Sequence, residues 1–269
     1  MGNKSKKFST KCVHEGEIKD TMYQGIVSPL FMSTTYPWFG GDDPEKKPYP
    51  RYFNTPNQEF LSKKIASLEN GEKALIFTSG MAAISTSIMA NVKTGDHIVV
   101  QNDIYGGTRN FVLTEFDKFG IEYSFTDGLD PLNFSDQIKD NTVGIYLETP
   151  SNPLLKIVDL KSVSSIAKDN GVWTMIDNTF SSPVNQNPID HGIDIVLHSA
   201  TKYLGGHSDI SAGAVISTES RIEQILNSAK NFGGNLSDYT VWLLERSIKT
   251  LHIRVKEQTN NAKILAKML

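Results

Sequence analysis

A single lysine stands in a polar, glycine-rich loop that follows an apolar run of the chain. The run from Ile193 to Leu197 predicts a buried strand, and residues 198–209 read HSATKYLGGHSD, with Lys202 in the middle. A buried lysine amine loses its proton at little cost and can then attack a carbonyl carbon. The alternative is an exposed loop lysine without a chemical role, which is the commoner case. Ser199 and Thr201 flank Lys202 and indicate an anionic group nearby.

An acidic residue ends a second apolar run. Residues 172–176 predict another strand, and Asp177 follows it directly. In open α/β sheets, ligands bind at the carboxyl ends of the strands, so Asp177 and Lys202 are expected to meet there. Pyridoxal phosphate requires such a pair: the lysine binds its aldehyde, and the carboxylate keeps the ring nitrogen protonated so that the ring accepts electrons. An aspartate after a strand is also a common turn residue, so the pair, rather than Asp177 alone, favours the cofactor.

A third strand end offers a phosphate site. Residues 74–77 predict a strand, and residues 78–83 read TSGMAA at the start of a predicted helix that runs to about Asn91. The N-terminus of a helix binds phosphate through free backbone N–H groups, and a glycine is typical of its first turn. Gly80 and Met81 are the candidate residues, although an ordinary strand-to-helix turn has the same pattern.

Five motifs of the chain resemble those of a known family of enzymes. HSATKYLGGHSD, MIDNTFSSP, TSGMAA, ETPSNP and YGGT resemble motifs of the Cys/Met-metabolism family of pyridoxal-phosphate enzymes. This family includes cystathionine γ-lyase, cystathionine β-lyase, methionine γ-lyase, and the homoserine-ester sulfhydrylases and synthases. The resemblance runs from about Val13 to the end of the chain. It implies the large domain of the aspartate-aminotransferase-like class, fold type I, with pyridoxal 5′-phosphate as the cofactor.

The resemblance also implies a role for each candidate residue. Lys202 would be the catalytic residue that holds the cofactor and shuttles protons, and Asp177 would be the partner of the ring nitrogen. Tyr105 would stack on the ring and help the leaving group depart. The implied cofactor-binding set is Lys202, Gly80, Met81, Tyr105, Asn152, Asp177, Thr179, Ser199 and Thr201, with Tyr49 and Arg51 contributed by a neighbouring subunit.

Residues 1–56 show no sustained hydrophobic period and are rich in turn-forming residues. Because a structureless stretch of this length is uncommon inside a compact domain, we expect an arm that packs on another subunit. In the resembling family, a Tyr-x-Arg motif of this arm reaches the neighbour's cofactor phosphate, and Tyr49 and Arg51 match it. Arginine suits that role because its planar guanidinium binds phosphate with two hydrogen bonds. The functional unit is therefore expected to be a homo-oligomer, at least a dimer and most simply a dimer of dimers.

Strand and helix patterns alternate over the middle of the chain. Seven apolar runs predict strands, and helical patterns lie between most of them, at residues 56–69, 81–91, 108–119 and 160–170. This alternation predicts an α/β fold with a mainly parallel, seven-stranded sheet and helices on both faces. Residues 57–235 are assigned to the cofactor-binding domain.

Residues 236–269 predict one long helix with an apolar face formed by Val241, Leu244, Ile248, Leu251 and Val255. No glycine or asparagine stop signal closes this helix. By resemblance, it leads to a smaller C-terminal domain that carries the arginine for the substrate carboxylate. A C-terminally truncated member of the family is therefore expected.

The composition argues against several other classes of protein. The 269 residues carry a formal net charge of −3 and no block of basic residues, so no nucleic-acid partner is predicted. No apolar run approaches the length of a membrane span. The single cysteine, Cys12, fits a reducing cytoplasm. His191, His198 and His207 lack the spacing of metal ligands, so no metal site is predicted.

Together these observations favour a pyridoxal-phosphate enzyme of trans-sulfuration that acts on an amino acid. The preferred hypothesis is a cystathionine-type carbon–sulfur lyase, which acts by β- or γ-elimination. Gly107 stands where the resembling methionine γ-lyases have a cysteine, which argues against that assignment. The alternative is γ-replacement on an O-acylhomoserine, as in cystathionine γ-synthases and sulfhydrylases. A hypothesis of a different class is a non-catalytic fragment that binds the cofactor or partner subunits.

Overall fold

The computed structural model describes residues 6–37 and 47–269, and these ranges contain a central seven-stranded sheet. The order of the strands across the sheet is β1-β7-β6-β5-β4-β2-β3. In chain order the strands are β1 Lys73–Phe77, β2 His97–Gln101, β3 Glu122–Thr126, β4 Thr142–Glu148, β5 Trp173–Asp177, β6 Ile195–His198 and β7 Gly213–Ser217. The predicted mainly parallel α/β sheet is confirmed.

One strand, β7, runs against the others. It pairs antiparallel with β1 and with β6, whereas the pairs β6–β5, β5–β4, β4–β2 and β2–β3 are all parallel. The loop that contains Lys202 joins β6 to β7 without a crossover helix, so the chain can return to the sheet only by reversing direction. Both ends of this loop therefore lie at the carboxyl end of β6.

Helices cover both faces of the sheet. They are α1 Phe8–His14, α2 Pro56–Leu68, α3 Gly80–Ala90, α4 Gly106–Phe119, α5 Leu132–Ser135, α6 Leu160–Asp169, α7 Ser182–Asn185, α8 Glu219–Phe232, α9 Asp238–Ile248 and α10 Leu251–Met268, with short 3-10 helices at Pro50–Tyr52 and Pro188–His191. Within the described ranges, no helix has both the length and the apolar character that crossing a bilayer requires.

Two hydrophobic cores result, one on each face. The first contains residues of α2, α6, α9 and α10, and the second contains residues of α3, α4 and α8. Side chains alternate between the two cores along every strand except the edge strand β3, as Met175 and Ile176 do in β5. The inner strands are therefore mostly apolar on both faces, and the polar groups of the cavity stand at strand ends.

Helix α2 begins at a well-defined cap. The Thr55 side chain accepts a hydrogen bond from the Gln58 N–H, the Gln58 side chain accepts one from the Thr55 N–H, and Pro56 occupies the first helical position. The Thr55 hydroxyl also donates to the buried Asp238 carboxylate at 2.5 Å. The start of α2 is thereby joined to the start of α9.

The expectation of one long C-terminal helix is wrong, because α9 and α10 are separated at Lys249 and Thr250. The N–H groups of these two residues bond three residues back, to the carbonyls of Arg246 and Ser247. The Ser247 carbonyl also accepts from the Thr250 hydroxyl at 3.2 Å and from the Arg254 guanidinium at 3.1 Å. These two side chains compete for the Ser247 carbonyl, and α9 therefore ends here. The predicted apolar face is nevertheless buried, from Val241 to Val255.

The N-terminal segment packs on its own chain first and then becomes exposed. Cys12 of α1 is fully buried, and burial raises the pKa of its thiol. The buried amine of Lys64 in α2 donates to the carbonyls of Cys12 and Val13 at 3.2 Å each, and Glu245 of α9 lies 3.8 Å away. Residues 21–27 are exposed.

Candidate active site

A cavity of about 280 Å³ opens at the carboxyl ends of β4, β5 and β6. Its walls come from the first turn of α3 and from the loops that follow β2, β4, β5 and β6. The lining residues are Ser79, Gly80, Met81, Ile84, Tyr105, Glu148, Asn152, Asp177, Thr179, Phe180, Ser199, Thr201 and Lys202. The cavity thus brings together every candidate residue that the sequence analysis assigned to this subunit's own site.

Lys202 projects from the loop between β6 and β7. Its backbone is fixed on both sides, since its N–H donates to the Ser199 carbonyl at 3.1 Å and its carbonyl accepts from the Gly206 N–H at 2.7 Å. The side chain is exposed, whereas a buried lysine was the premise for a reactive amine at this position. The difference arises because the residue lines the open cavity rather than the core below it.

Asp177 ends β5 and is held by its own strand end. Its Oδ1 accepts hydrogen bonds from the Thr179 N–H at 3.0 Å and from the Thr179 hydroxyl at 2.5 Å. The Thr179 hydroxyl oxygen in turn accepts from the Ser199 N–H at 2.7 Å. Burial raises the pKa of the Asp177 carboxyl, while the Thr179 bonds and the charge of His198 act in the opposite direction. Thr179 therefore fixes Asp177 and joins the ends of β5 and β6.

The first turn of α3 is open toward the cavity. Ser79 caps the helix through a bond from the Ala82 N–H to its hydroxyl, and the Ala83 N–H donates to the Ser79 carbonyl. The N–H groups of Gly80 and Met81 precede the first intrahelical bond. A Cβ atom on Gly80 would lie only 2.8 Å from the Cβ of Ser199. Glycine is therefore needed for the loop after β6 to approach this turn.

Ser199 and Thr201 differ in how their hydroxyl groups are used. The Thr201 hydroxyl donates to the Ala212 carbonyl at 3.1 Å and accepts from the Ala212 N–H at 3.0 Å. It ties the loop after β6 to the start of β7. Ser199 has its backbone N–H engaged by Thr179, and its hydroxyl stands beside Gly80. In the described chain, Ser199 is thus the more available donor of the two.

Glu148 is a lining residue that the sequence analysis missed. It is the last residue of β4, lies directly beside Asp177 in the strand register, and is almost completely buried. Its Oε2 accepts from the Tyr105 N–H at 2.7 Å and its Oε1 from the Asn152 N–H at 2.9 Å. Burial, and then the neighbouring Asp177 carboxylate, raise the pKa of Glu148 to about 8. The signal was present, because Glu148 follows an apolar run just as Asp177 does.

Tyr105 stands at the cavity mouth, at the N-terminus of α4. Its side chain is 45% exposed, so its ring is available to a ligand. A Cβ atom on Gly107 would lie 2.5 Å from the Tyr105 ring, whereas one on Gly106 would meet nothing within 4 Å. The absence of a side chain at Gly107 therefore permits the observed position of the ring.

Tyr49 and Arg51 do not lie in this cavity. They line a separate surface cleft with Tyr36 and Tyr52. The Arg51 guanidinium lies 5.5 Å from the Tyr49 ring centroid and 5.3 Å from that of Tyr52, and it donates to the Lys230 carbonyl at 2.7 Å. Their predicted contribution to a neighbouring subunit's site stays a prediction.

The histidines of the lysine loop serve its packing. The buried His198 Nε2 lies 2.5 Å from Glu69 Oε1, and Glu69 also accepts from Asn178 at 2.8 Å and from Asn187 at 3.2 Å. His207 Nδ1 lies 2.7 Å from the Gly205 carbonyl. Glu69, directly after α2, thus holds Asn178, which follows Asp177, and His198, which begins the loop of Lys202.

The residues of the cavity fit pyridoxal phosphate. An open helix N-terminus next to the Ser199 hydroxyl suits a phosphate group. A buried carboxylate at Asp177 suits a protonated ring nitrogen, and the Lys202 amine suits an aldehyde. The close approach of Ser199 to Gly80 leaves no room for a Cβ atom at that turn.

Comparison with known proteins gives an independent result. Residues 9–269 match the family described as Cys/Met metabolism PLP-dependent enzyme. The chain is 38% identical over 263 residues to a probable cystathionine γ-synthase of Herpetosiphon aurantiacus. The aligned region covers 97% of this chain and 82% of the relative. The chain is 40% identical over 265 residues to a cystathionine β-lyase of Lactococcus lactis, with coverages of 97% and 69%.

A solved structure extends the similarity to three dimensions. The cystathionine γ-lyase of Lactobacillus plantarum, solved with L-serine, superimposes with a TM-score of 0.91 at 37% sequence identity. The match covers 97% of this chain and 68% of the other.

Proposed function

The chain belongs to the family of pyridoxal-phosphate enzymes of cysteine and methionine metabolism, and we propose that its cavity binds pyridoxal 5′-phosphate for trans-sulfuration. The observation that carries the proposal is the meeting of Lys202, Asp177 and the open first turn of α3 in one cavity. When bound, the cofactor would supply an electron sink for the electron pair left on an amino-acid substrate when a bond at its α-carbon breaks.

Each residue of the cavity would have a separate role. Lys202 would hold the cofactor aldehyde and, once released by the substrate amine, move protons at the substrate carbons. Asp177 would keep a proton on the ring nitrogen, and Thr179 would hold Asp177 in place. The N–H groups of Gly80 and Met81 would bind the phosphate.

The remaining cavity residues would complete the site. Ser199 would add a hydroxyl donor to the phosphate, and Thr201 would keep its loop closed against β7. Tyr105 would cover one face of the ring and move a proton at the leaving sulfur. Asn152 would stand beside the ring.

We propose carbon–sulfur bond cleavage on a cystathionine-type substrate as the reaction. Relatives named cystathionine β-lyase and cystathionine γ-lyase support it. A relative named probable cystathionine γ-synthase supports the alternative, replacement at the γ-carbon of an O-acylhomoserine. Both reactions would use the same cavity, so an analysis of the reaction products is needed to distinguish them.

We also propose that the functional unit is a homo-oligomer in which Tyr49 and Arg51 serve a neighbouring site. Two features support this. The two side chains lie in a cleft of their own rather than in this subunit's cavity. The segment that precedes them exposes Met22, Tyr23 and Ile26, apolar side chains that a second copy would cover.

The experiment that tests the proposal is covalent trapping followed by product analysis. The purified chain is mixed with pyridoxal phosphate, reduced with borohydride and digested, and the modified peptide is identified by mass spectrometry. The label is expected on Lys202 and is expected to disappear in Lys202→Arg, while Lys168→Arg, a change at an exposed lysine of α6, should keep it. Labelling of another lysine would refute the site.

The products distinguish the reactions. Cysteine and 2-oxobutanoate from cystathionine indicate γ-elimination, and homocysteine and pyruvate indicate β-elimination. Formation of cystathionine from an O-acylhomoserine and cysteine indicates replacement. Trapping on Lys202 without any product would support the non-catalytic hypothesis instead.

A further inference from the structure

Two buried carboxylates lie side by side in the cavity. Glu148 and Asp177 are paired residues of the parallel strands β4 and β5, so their side chains leave the same face of the sheet. Neighbouring strands lie about 4.8 Å apart. Two carboxylates on paired residues of neighbouring strands repel each other when both are ionised, and they titrate as a coupled pair.

Only one of these carboxylates has an assigned task. Glu148 nevertheless accepts two backbone hydrogen bonds from different loops, at 2.7 Å from Tyr105 after β2 and at 2.9 Å from Asn152 after β4. Each of its oxygens receives one donor. An ionised carboxylate accepts both bonds without a hydrogen atom of its own, whereas protonation replaces part of this acceptor capacity with an O–H donor. Two N–H donors therefore favour the ionised form.

The electrostatic environment opposes this form in the chain alone. Burial and the Asp177 carboxylate raise the pKa of Glu148 to about 8, although the two N–H donors act in the opposite direction. The other groups around Glu148 are Lys202 and Tyr105 in the cavity and the buried Tyr146 two residues earlier on β4. The ion pair of Asp103 and Lys156, 2.5 Å apart, joins the same two loops farther out.

We propose that Glu148 is a positioning residue: a cation placed at Asp177 by the bound cofactor ionises Glu148, which then fastens the Tyr105 loop to the Asn152 loop. The inference rests on the proposed function, since the cation is the protonated ring nitrogen of the cofactor. The positive charge offsets the repulsion between the two carboxylates, and the proton of Glu148 leaves for the solvent. Cofactor binding and the placement of the Tyr105 ring are thus linked through one ionisation.

The test compares cofactor affinity across pH. Glu148→Gln has the same size, but its amide nitrogen cannot accept a hydrogen bond and its charge does not change. We expect the ratio of its dissociation constant for pyridoxal phosphate to that of the parent chain to rise as the pH is raised toward about 8. The slope should reach up to about tenfold per pH unit, and the ratio should level off above about pH 8. Asp103→Asn, which removes a carboxylate from the outer link between the same loops, should give a ratio that does not change with pH.

A ratio for Glu148→Gln that stays constant with pH would overturn the inference, because a purely structural role has no proton dependence. A parent chain that does not bind pyridoxal phosphate at any pH would instead refute the proposed function. If the Glu148→Gln variant misfolds, a measurement on the parent chain alone still tests the inference. On adding cofactor to the parent chain at about pH 7, the infrared difference spectrum should lose a carboxylic-acid C=O band and gain a carboxylate band. An unchanged carboxylic-acid band would also overturn the inference.

Discussion

At the scale of single residues, the buried carboxylates of Glu148 and Asp177 couple the stability of the fold to pH. Burial raises the pKa of both groups in the folded chain. Between the ordinary pKa of a carboxyl near 4.5 and the value of about 8 for Glu148, the folded state keeps a proton that the unfolded state loses. The unfolded state then binds fewer protons, so the free energy of unfolding decreases as pH rises through this window.

We therefore expect the chain without cofactor to unfold at lower urea concentration at pH 8 than at pH 5.5, apart from the contribution of other groups. Glu148→Gln removes one of the titrating groups and should flatten this dependence. Urea midpoints of both proteins at several pH values measure the difference. Equal pH slopes for parent and variant would show that Glu148 does not keep its proton in the folded chain.

A second prediction at this scale concerns Gly107 and the affinity for the cofactor. An added Cβ would lie 2.5 Å from the Tyr105 ring, so Gly107→Ala must displace the ring that would cover the cofactor. We expect about a tenfold loss of affinity for pyridoxal phosphate, the equivalent of about 1.4 kcal/mol. Gly106→Ala is the matched control, because it makes the same change in the same helical turn and meets nothing within 4 Å. Equal affinities for the two variants would contradict this account.

At the scale of elements, the sequence predicted those features that local patterns determine. Apolar runs located the strands of the sheet, and the rule that parallel strands present their carboxyl ends together brought Asp177 and Lys202 into one site. The same rule applied to Glu148, but an acidic residue before a proline-rich turn has many ordinary explanations. The separation of α9 from α10 was not predictable, because it depends on hydrogen bonds from the Thr250 and Arg254 side chains to one carbonyl. The engagement of Thr201 by Ala212 likewise depends on how β7 returns to the sheet.

Helix α2 carries the clearest prediction about elements. Lys64 is fully buried, and its amine joins α1 to α2 and α9 through two carbonyls and Glu245. Lys64→Met keeps much of the volume but leaves Glu245 without its cation, and we expect a loss of roughly 3 kcal/mol in the free energy of unfolding. Urea unfolding measures it. Lys63→Met, an exposed neighbour on the same helix, should change it little, and a similar small change for Lys64→Met would show that the buried amine is dispensable.

At the scale of the whole molecule, the proposed oligomer predicts complementation between two defective proteins. If Arg51 serves a neighbouring subunit, a mixed dimer of Arg51→Ala and Lys202→Ala subunits has one site with both defects and one site with neither. Each variant alone should retain little cofactor, and the mixed dimer should retain it in one of its two sites. Absorbance and borohydride labelling of the purified mixed dimer measure the occupancy. Mixed dimers that retain no more cofactor than either parent would place Arg51 outside the neighbouring site.

The position of β1 in the sheet has a consequence for biosynthesis. Of the seven strands of this sheet, β1 is the first to be made, yet its partner is β7, the last of the seven in chain order. Until residue 213 has been translated, β1 can pack against α2 and α3, but the backbone groups that bond to β7 have no strand partner. Such a nascent chain offers an exposed strand edge to other chains until β7 has been made. We therefore expect its yield in cells to depend on chaperones that bind nascent polypeptides, more strongly than the stability of the finished fold would suggest.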